Sequence, residues 1–406
     1  MGKKTTSKQQ SYIAAGLMSG TSLDGLDMAL CRFFLSANEW QMEIIKTETL
    51  SYAGTEWKER LAVSMELSGL GLMELHRDFG RFAGRSVKLF LEDIDEKPDL
   101  IASHGHTVFH QPDKGLTLQI GDGAEIAAVT GITTVSDFRR LDVALGGQGA
   151  PLVPAGDELL FGQYSYCLNL GGFANISFRE SNKRIAFDIC PVNIVLNALA
   201  GYAGRSYDHD GELARKGVVD PELLDALENL DYYRLSGPRS LGKEWVDQVF
   251  MPVLEKRDAA IEDKLRTVCE HIALRVAAGA SKNPPHRSII NEKEGSSLPG
   301  EGTGNINPDK GSRRYEQNSE FLGPGNDGPA TMLITGGGAR NSFLTRLISE
   351  KAESLYTVIP EEELVDFKEA AVFAFLGVLK IRDEVNCLCS VTGAKKDNSG
   401  GIIHYP

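Results

Sequence analysis

The sequence predicts an α/β protein of two domains, each a mixed sheet flanked by helices, with a cleft between them. Three observations carry that expectation. At 406 residues the chain exceeds the size at which one core keeps growing. Strand-like apolar runs alternate along it with stretches of helical spacing. A unit of strand, glycine turn and strand occurs once in each half, at residues 14–27 and 166–178, and such long-period self-similarity suggests a duplicated domain. Convergence on hairpin composition is a rival explanation for so short a match. The expected first domain spans 10–137 and regains the C-terminal stretch 369–406; the second spans 138–368.

Composition narrows the class. Hydrophobic residues make up 42% and charged residues 24%, as in ordinary globular chains. A formal net charge of -13 argues against nucleic acid, which needs a clustered basic face. The six cysteines (Cys31, Cys167, Cys190, Cys269, Cys387 and Cys389) are scattered without a CxxC pair, which suits a reducing cytoplasm. The opening residues form no signal-peptide pattern and no apolar run reaches membrane-spanning length. A cytoplasmic protein without a membrane partner is the expectation.

The first hairpin carries the densest chemistry. An apolar run over 12–17 breaks into a polar turn and resumes with Leu26, Met28 and Leu30. The turn holds Gly20 and Gly25, hydroxyls at Ser19, Thr21 and Ser22, and carboxylates at Asp24 and Asp27. Glycine lets the backbone approach a ligand, and hydroxyls and N–H groups donate to phosphate oxygens. Carboxylates would repel a bare phosphate, so Asp24 and Asp27 suggest Mg²⁺ between them and a nucleotide. An ordinary hairpin uses the same residue types, and the turn alone favours phosphate only modestly.

Residues 42–50 read as a further strand, and 57–67 and 72–94 as helices, the latter striped by Leu72, Leu75, Phe79, Phe82, Val87 and Leu91. A strand over 100–102 ends in Ser103-His104-Gly105-His106-Thr107. Three histidines at 104, 106 and 110 invite a metal, yet the spacing fits neither HExxH nor a zinc pattern, so a polar cleft is the better reading. A strand at 116–120, a helix at 125–129 and a strand at 133–135 follow. Residues 137–151 are rich in charge and glycine; an interdomain linker and an acid- or sugar-binding clamp built on Arg139 and Arg140 weigh about evenly.

In the second hairpin Gly171 and Gly172 form the turn. Asp188 then ends a strand ahead of a helix at 194–200, where a general base is often placed and where a capping aspartate is commoner. Residues 207–212 are acidic and turn-like. The stretch 237–244 imitates a P-loop but has Glu244 where Mg²⁺ needs a hydroxyl, and no apolar strand before it. Residues 281–330 read as a flexible surface insertion. A strand at 331–335 then runs into Gly336, Gly337 and Gly338 and a helix over 343–351; these glycines suggest adenosine lying close to the backbone and bare a helix N-terminus. A buried C-terminal helix opens at Lys368.

Together these stretches resemble the anhydro-N-acetylmuramic acid kinase family of the sugar kinase/Hsp70/actin class. The resemblance rests on GLMSGTSLDGLD (16–27), SHGHTVFHQP (103–112), LQIGDGAEIA (118–127), TGITTVSDFRRLDVALGGQGAPLVPA (130–155), LNLGGFANIS (168–177), YDHDGELARKG (207–217), ITGGGARN (334–341) and KEAAVFAFL (368–376). It implies two actin-like (ribonuclease H-like) domains. It also implies ATP- and Mg²⁺-dependent phosphorylation of O6 of 1,6-anhydro-N-acetylmuramic acid, with water opening the anhydro ring to give N-acetylmuramic acid 6-phosphate for cell-wall recycling. By position, Gly20, Thr21, Ser22, Leu23, Asp24, Gly25, Leu26 and Asp27 would hold the ATP phosphates, facing Gly171 and Gly172 across the cleft. Asp188 would be the base, His104, Arg139 and Glu369 would line the sugar site, and Gly336, Gly337 and Gly338 would support adenosine. A homodimer fits the family. The chain departs from the family's DTGPGN stretch, carrying Cys190 and Val192 for two glycines and Asn197 for a later carboxylate. Altered loop geometry, a changed substrate and weakened catalysis are the open consequences.

Two other functions compete. A glycoside hydrolase with paired carboxylates leaves both glycine turns unexplained. An actin/Hsp70-like nucleotide switch, or an inactive kinase, would bind ATP without depending on the sugar.

Overall fold

The computed structural model describes residues 10–20, 23–235, 239–281 and 330–406. Among them the chain builds two sheets. The first holds β1 (Gln10–Ser19), β2 (Gly25–Ser36), β3 (Glu39–Ser51), β4 (Leu100–Gln111), β5 (Leu116–Ile120), β6 (Thr134–Ser136) and, from the far end of the chain, β12 (Ile402–His404). The second holds β7 (Tyr166–Leu170), β8 (Phe173–Glu180), β9 (Lys183–Pro191), β10 (Ala330–Thr335) and β11 (Leu355–Val358).

The spatial orders are β12-β6-β4-β1-β2-β3, with β5 paired to β4, and β11-β10-β7-β8-β9. In each sheet three strands form an antiparallel meander: β1, β2 and β3, and β7, β8 and β9. The first strand of each meander then pairs parallel with a later strand, β1 with β4 and β7 with β10, and a further parallel strand follows, β6 and β11. The two sheets therefore repeat one connectivity, that of actin-like, ribonuclease H-like halves. The echo between the hairpins is a duplication of topology.

One helix, Glu362–Ile381, joins the halves. Apolar side chains run around it, so it is buried nearly throughout, as a helix hydrophobic on all sides must be. It lies on β1, β2 and β4. Gly16 in β1 permits the contact: a Cβ there would stand 1.8 Å from the Ala370 carbonyl oxygen. Its aromatic residues share one core with Phe33, Trp40, Leu152, Phe161, Cys167 and Leu333, drawn from both halves. The helix Gly69–Phe90 covers the other face of the first sheet through Leu75, Phe79, Ala83, Val87 and Phe90, its N-terminus capped by Ser68.

Several expected boundaries move. β4 does not stop at Ala102 but continues through all three histidines to Gln111, because their polar atoms find partners inside the sheet. β9 runs past Asp188 to Pro191. The final long helix starts at Glu362, so Lys368 and Glu369 lie well inside it. The stretch 57–67 is a short helix, Trp57–Ala62, followed by a 3-10 turn. Thr21 and Ser22, and the expected insertion from 282 to 329, lie outside the described residues.

Candidate active site

A cavity of about 150 Å³ lies between the halves. Met18 enters it from the first hairpin, Asn169 and Asn175 from the second, Arg139 and the segment 150–154 from the connection, and Lys368, Glu369 and Phe373 from the joining helix. The stems of the two hairpins thus meet at one space.

Arg139 is held from two sides. Its Nε–H donates to His104 Nε2 at 2.9 Å, and Nη1 donates to the Gly149 carbonyl at 2.7 Å. The buried His104 ring keeps Nδ1 beside the Gly105 carbonyl at 3.0 Å; burial and Arg139 hold its pKa well below the ordinary value, so it is a neutral acceptor. Burial pulls the Arg139 guanidinium down to about 10, against the attraction of Glu369. Burial pushes the Glu369 carboxyl up, opposed by Arg139 and Lys368. Asn169 Nδ2 donates to Glu369 Oε1 at 3.3 Å. His104 therefore holds Arg139, and Arg139 and Glu369 line the same cavity. The segment 137–151 works partly as scaffold: Asp142 is fully buried and accepts from Gly149 N–H, Thr392 Oγ1–H and Asn398 Nδ2–H at 2.8–2.9 Å.

The sequence reading missed five polar residues lining this cavity, Asp157, Asn169, Asn175, Ser177 and Lys368. Lys368 and Asp157 form an ion pair of 2.6 Å with both side chains 5% exposed. Asp157 also accepts from Ser177 Oγ–H at 2.5 Å, and Arg184 reaches Ser177 Oγ at 2.8 Å. Burial opposes both charges, yet Lys368 and Arg184 hold the Asp157 carboxyl down and Asp157 holds the Lys368 ammonium up. A lysine inside an apolar helical run was the available signal. Asn169 and Asn175 are direct cross-strand partners flanking the Gly171-Gly172 turn, which a register argument could have paired.

Asp188 does not line this cavity. It occupies the next same-face pair of β8 and β9: Ser177 faces Ala186, both cavity residues, and Asn175 faces Asp188. Its Oδ2 accepts from Leu241 N–H at 2.8 Å, and the Tyr232 hydroxyl donates to its carbonyl at 2.7 Å. Burial pushes its carboxyl up to about 6, against the Leu241 N–H and Arg239.

On the first turn, Asp27 Oδ1 accepts from Thr49 Oγ1–H at 2.6 Å. Burial raises the Asp27 carboxyl, with Asp366 and Asp24 adding repulsion. Gly20 and Leu23 are joined by a backbone bond of 3.3 Å, while Gly25 and Leu26 already pair with β3. Among the described residues no three histidine, cysteine or carboxylate side chains converge as a metal centre. Each of the three histidine rings has its own partner, Gly105 and Arg139 for His104, Ser19 for His106 and Thr117 for His110.

A second cavity, of about 240 Å³, is lined by Asn193, Asn197, Tyr207, His209, Gly337, Gly338, Arg340 and others. The three glycines divide. Gly336 has φ 82°, and a Cβ there would meet Asn169 Oδ1 at 2.2 Å; one on Gly338 would meet Leu170 Cβ at 2.8 Å. Only Gly337 faces open space, its nearest neighbour being Asn193 Nδ2 at 3.8 Å. The helix after them is not bare: a 3-10 turn intervenes, Asn341 caps Leu344 N–H and Asp210 accepts from Ser342 N–H. Gly171 and Gly172 give their carbonyls to Asn193, Val192 and Ile194 N–H. Of the departures, Cys190 and Val192 are fully buried in the second core, where burial drives the Cys190 thiol up and leaves it unreactive. Asn197 lines the second cavity and not the first.

No helix among the described residues is long and apolar enough to cross a membrane. The sequence profile of the anhydro-N-acetylmuramic acid kinase family matches residues 10–289 and 319–406. The chain is 34% identical over 410 residues to the anhydro-N-acetylmuramic acid kinase of Pseudomonas putida, covering 96% of this chain and 98% of that one. It is 31% identical over 408 residues to that of Vibrio parahaemolyticus, covering 96% and 97%. Among solved structures, xylulose kinase from Rhodospirillum rubrum aligns at 11% identity with a TM-score of 0.38, covering 98% of this chain and 95% of its own, too loose a likeness to bear on the site. With coverage near complete, the chain belongs to the anhydro-N-acetylmuramic acid kinase family, a family of sugar kinases.

Proposed function

We propose that this chain uses ATP and Mg²⁺ to phosphorylate O6 of 1,6-anhydro-N-acetylmuramic acid while water opens the anhydro ring, giving N-acetylmuramic acid 6-phosphate in cell-wall recycling. One observation carries the reading. A buried polar cavity between the halves gathers Arg139, Glu369, Asn169 and Asn175, with Asp188 on the adjoining strand pair.

Arg139 and Glu369 contact the sugar, and His104 orients Arg139 through its Nε–H. Water attacks the anomeric carbon as the bond from that carbon to O6 breaks, and O6 takes the γ-phosphoryl group. Asp188 accepts the water's proton: a carboxyl near 6 is largely ionised at neutral pH yet more basic than an exposed one. Phosphoryl transfer itself asks chiefly for positioning and charge neutralisation. Residues 20–27 line the phosphate side, and Gly337 the adenosine side with the second cavity. Mg²⁺ needs only one or two carboxylates when phosphates complete its shell, and Asp27, crowded by Asp24 and Asp366, is a carboxylate that a cation would relieve.

ADP release is measured with and without the anhydro sugar, and the product is identified by mass. Sugar-dependent turnover yielding the ring-opened 6-phosphate is expected. Sugar-independent turnover unaffected by Asp188→Asn would replace the kinase with a nucleotide switch.

A further inference from the structure

Tyr52, fully buried just after β3, grips the first turn at both ends. Its hydroxyl donates to Ser19 Oγ at 2.8 Å, where β1 ends, and its backbone N–H donates to the Asp24 carbonyl at 3.0 Å, where β2 is about to begin. Ser19 Oγ lies 3.2 Å from His106 Nδ1 on β4. Burial keeps the His106 ring neutral, pulled down to about 4. Ser19 Oγ thus links the Tyr52 hydroxyl to the His106 ring, and the Ser19 backbone also bonds that ring. The hydrogen-bond chain joins Tyr52, Ser19 and His106.

The chain sits where regular pairing fails, since the β1–β4 register shifts between Leu17 and Ser19. The side-chain bonds lie beside that shift, at the point from which the turn departs. Phe79 fixes both rings, with centroids 6.5 Å from Tyr52 and 6.4 Å from His106. Three buried polar groups are expensive in a core unless each is satisfied, and apolar side chains would fill the space at less cost. Their direct hold on both ends of one turn gives them a use.

We propose that Tyr52 and His106 are positioning residues for the first turn, setting the separation of Ser19 and Asp24 that phosphate binding requires. This rests on the reading that the turn takes the ATP phosphates. Neither residue lines either cavity.

The test compares KM for ATP with KM for the anhydro sugar, alongside urea unfolding, in Tyr52→Phe, His106→Leu, His106→Asn and Asp27→Asn. Tyr52→Phe and His106→Leu are expected to raise KM for ATP about tenfold and leave that for the sugar unchanged. His106→Asn keeps an amide able to accept or donate near the Nδ1 position and should restore ATP binding to within about twofold, a rescue that loss of packing would not produce. Combining Tyr52→Phe with His106→Leu should add nothing beyond the worse single variant. Unchanged KM for ATP, equal rises in both KM values, or failure of His106→Asn to rescue would overturn the proposal. If Asp27→Asn also leaves KM for ATP unchanged, the phosphate reading of the turn falls with it; if Asp27→Asn raises that KM and Tyr52→Phe does not, only the positioning role is lost.

Discussion

In the first half the hairpin turn is tied down mainly by side chains, Tyr52 Oη and His106 at Ser19, Ser51 Oγ at Asp24 and Thr49 on Asp27, with a backbone bond from Tyr52 N–H to the Asp24 carbonyl beside them. In the second half the corresponding turn is tied by backbone, the carbonyls of Gly171 and Gly172 taking three N–H groups at the start of the helix Asn193–Tyr202. The strands beneath are the same in order and direction. A duplicated frame therefore carries two differently anchored turns. Side-chain anchoring leaves Asp24 exposed and Asp27 half-buried at the first turn, whereas backbone anchoring makes the second a fixed wall beside Asn169 and Asn175. The joining helix serves both, presenting Glu369 to the cavity and Lys368 to Asp157 of the second half.

The strongest way to break this comparison is at Asp188, which the division of labour places with the second half. Asp188→Asn should lower sugar-dependent ADP release by roughly 10²–10⁴-fold while ATP still binds, as read by turnover and by nucleotide titration. A loss confined to ATP binding would put Asp188 on the wrong side of the cleft.

The joining helix comes next. Lys368→Met strands the buried Asp157 carboxylate and should destabilise the fold by roughly 3 kcal/mol in urea unfolding. The double change Lys368→Met with Asp157→Leu should recover most of that, because the uncompensated charge is gone. A double variant as unstable as the single one would show that the pair is needed for more than charge balance.

Gly336→Ala and Gly337→Ala sharpen the second half. The first sets a side chain at positive φ against Asn169 and should destabilise by about 2 kcal/mol. The second meets open space, so stability should change by less than about 0.5 kcal/mol while KM for ATP rises severalfold. Equal unfolding midpoints for the two would contradict the packing.

The last effect is the dependence on pH. The Asp188 carboxyl rises from 3.8 to about 6 on folding, so between those values the folded chain holds a proton that the unfolded chain has released. That stabilising contribution is complete below about pH 3.8 and is lost as pH climbs through 6. Asp188→Asn should therefore gain on the wild type by on the order of 2 kcal/mol above pH 6, with the gap closing toward pH 4. Over the same range kcat/KM of the wild type should fall as pH drops below 6.

Much of the fold was readable because turn chemistry and period are local. The hairpins at 14–27 and 166–178, the helix over Gly69–Phe90 and the strand before Gly336 follow from apolar spacing and glycine placement. The errors share a cause. Ser103 to His110 looked like a strand end because the residues are polar, yet β4 continues through them since Ser19, Arg139 and Thr117 satisfy the histidines. Lys368 looked like a helix start because it is charged, yet Asp157 neutralises it in mid-helix. The triple glycine looked like one device, yet two of its members answer to the neighbouring strand.

The amino-acid order alone settled two α/β halves, the turns that punctuate them and the residue types able to handle phosphate, since each depends on neighbours a few positions apart. Tertiary contact alone decided that Glu369 and Arg139 line one cavity, that Lys368 survives burial, and that Tyr52 and His106 reach one serine. Those outcomes depend on partners far away in the chain, and a polar side chain's tolerance of burial is set by the partner it finds.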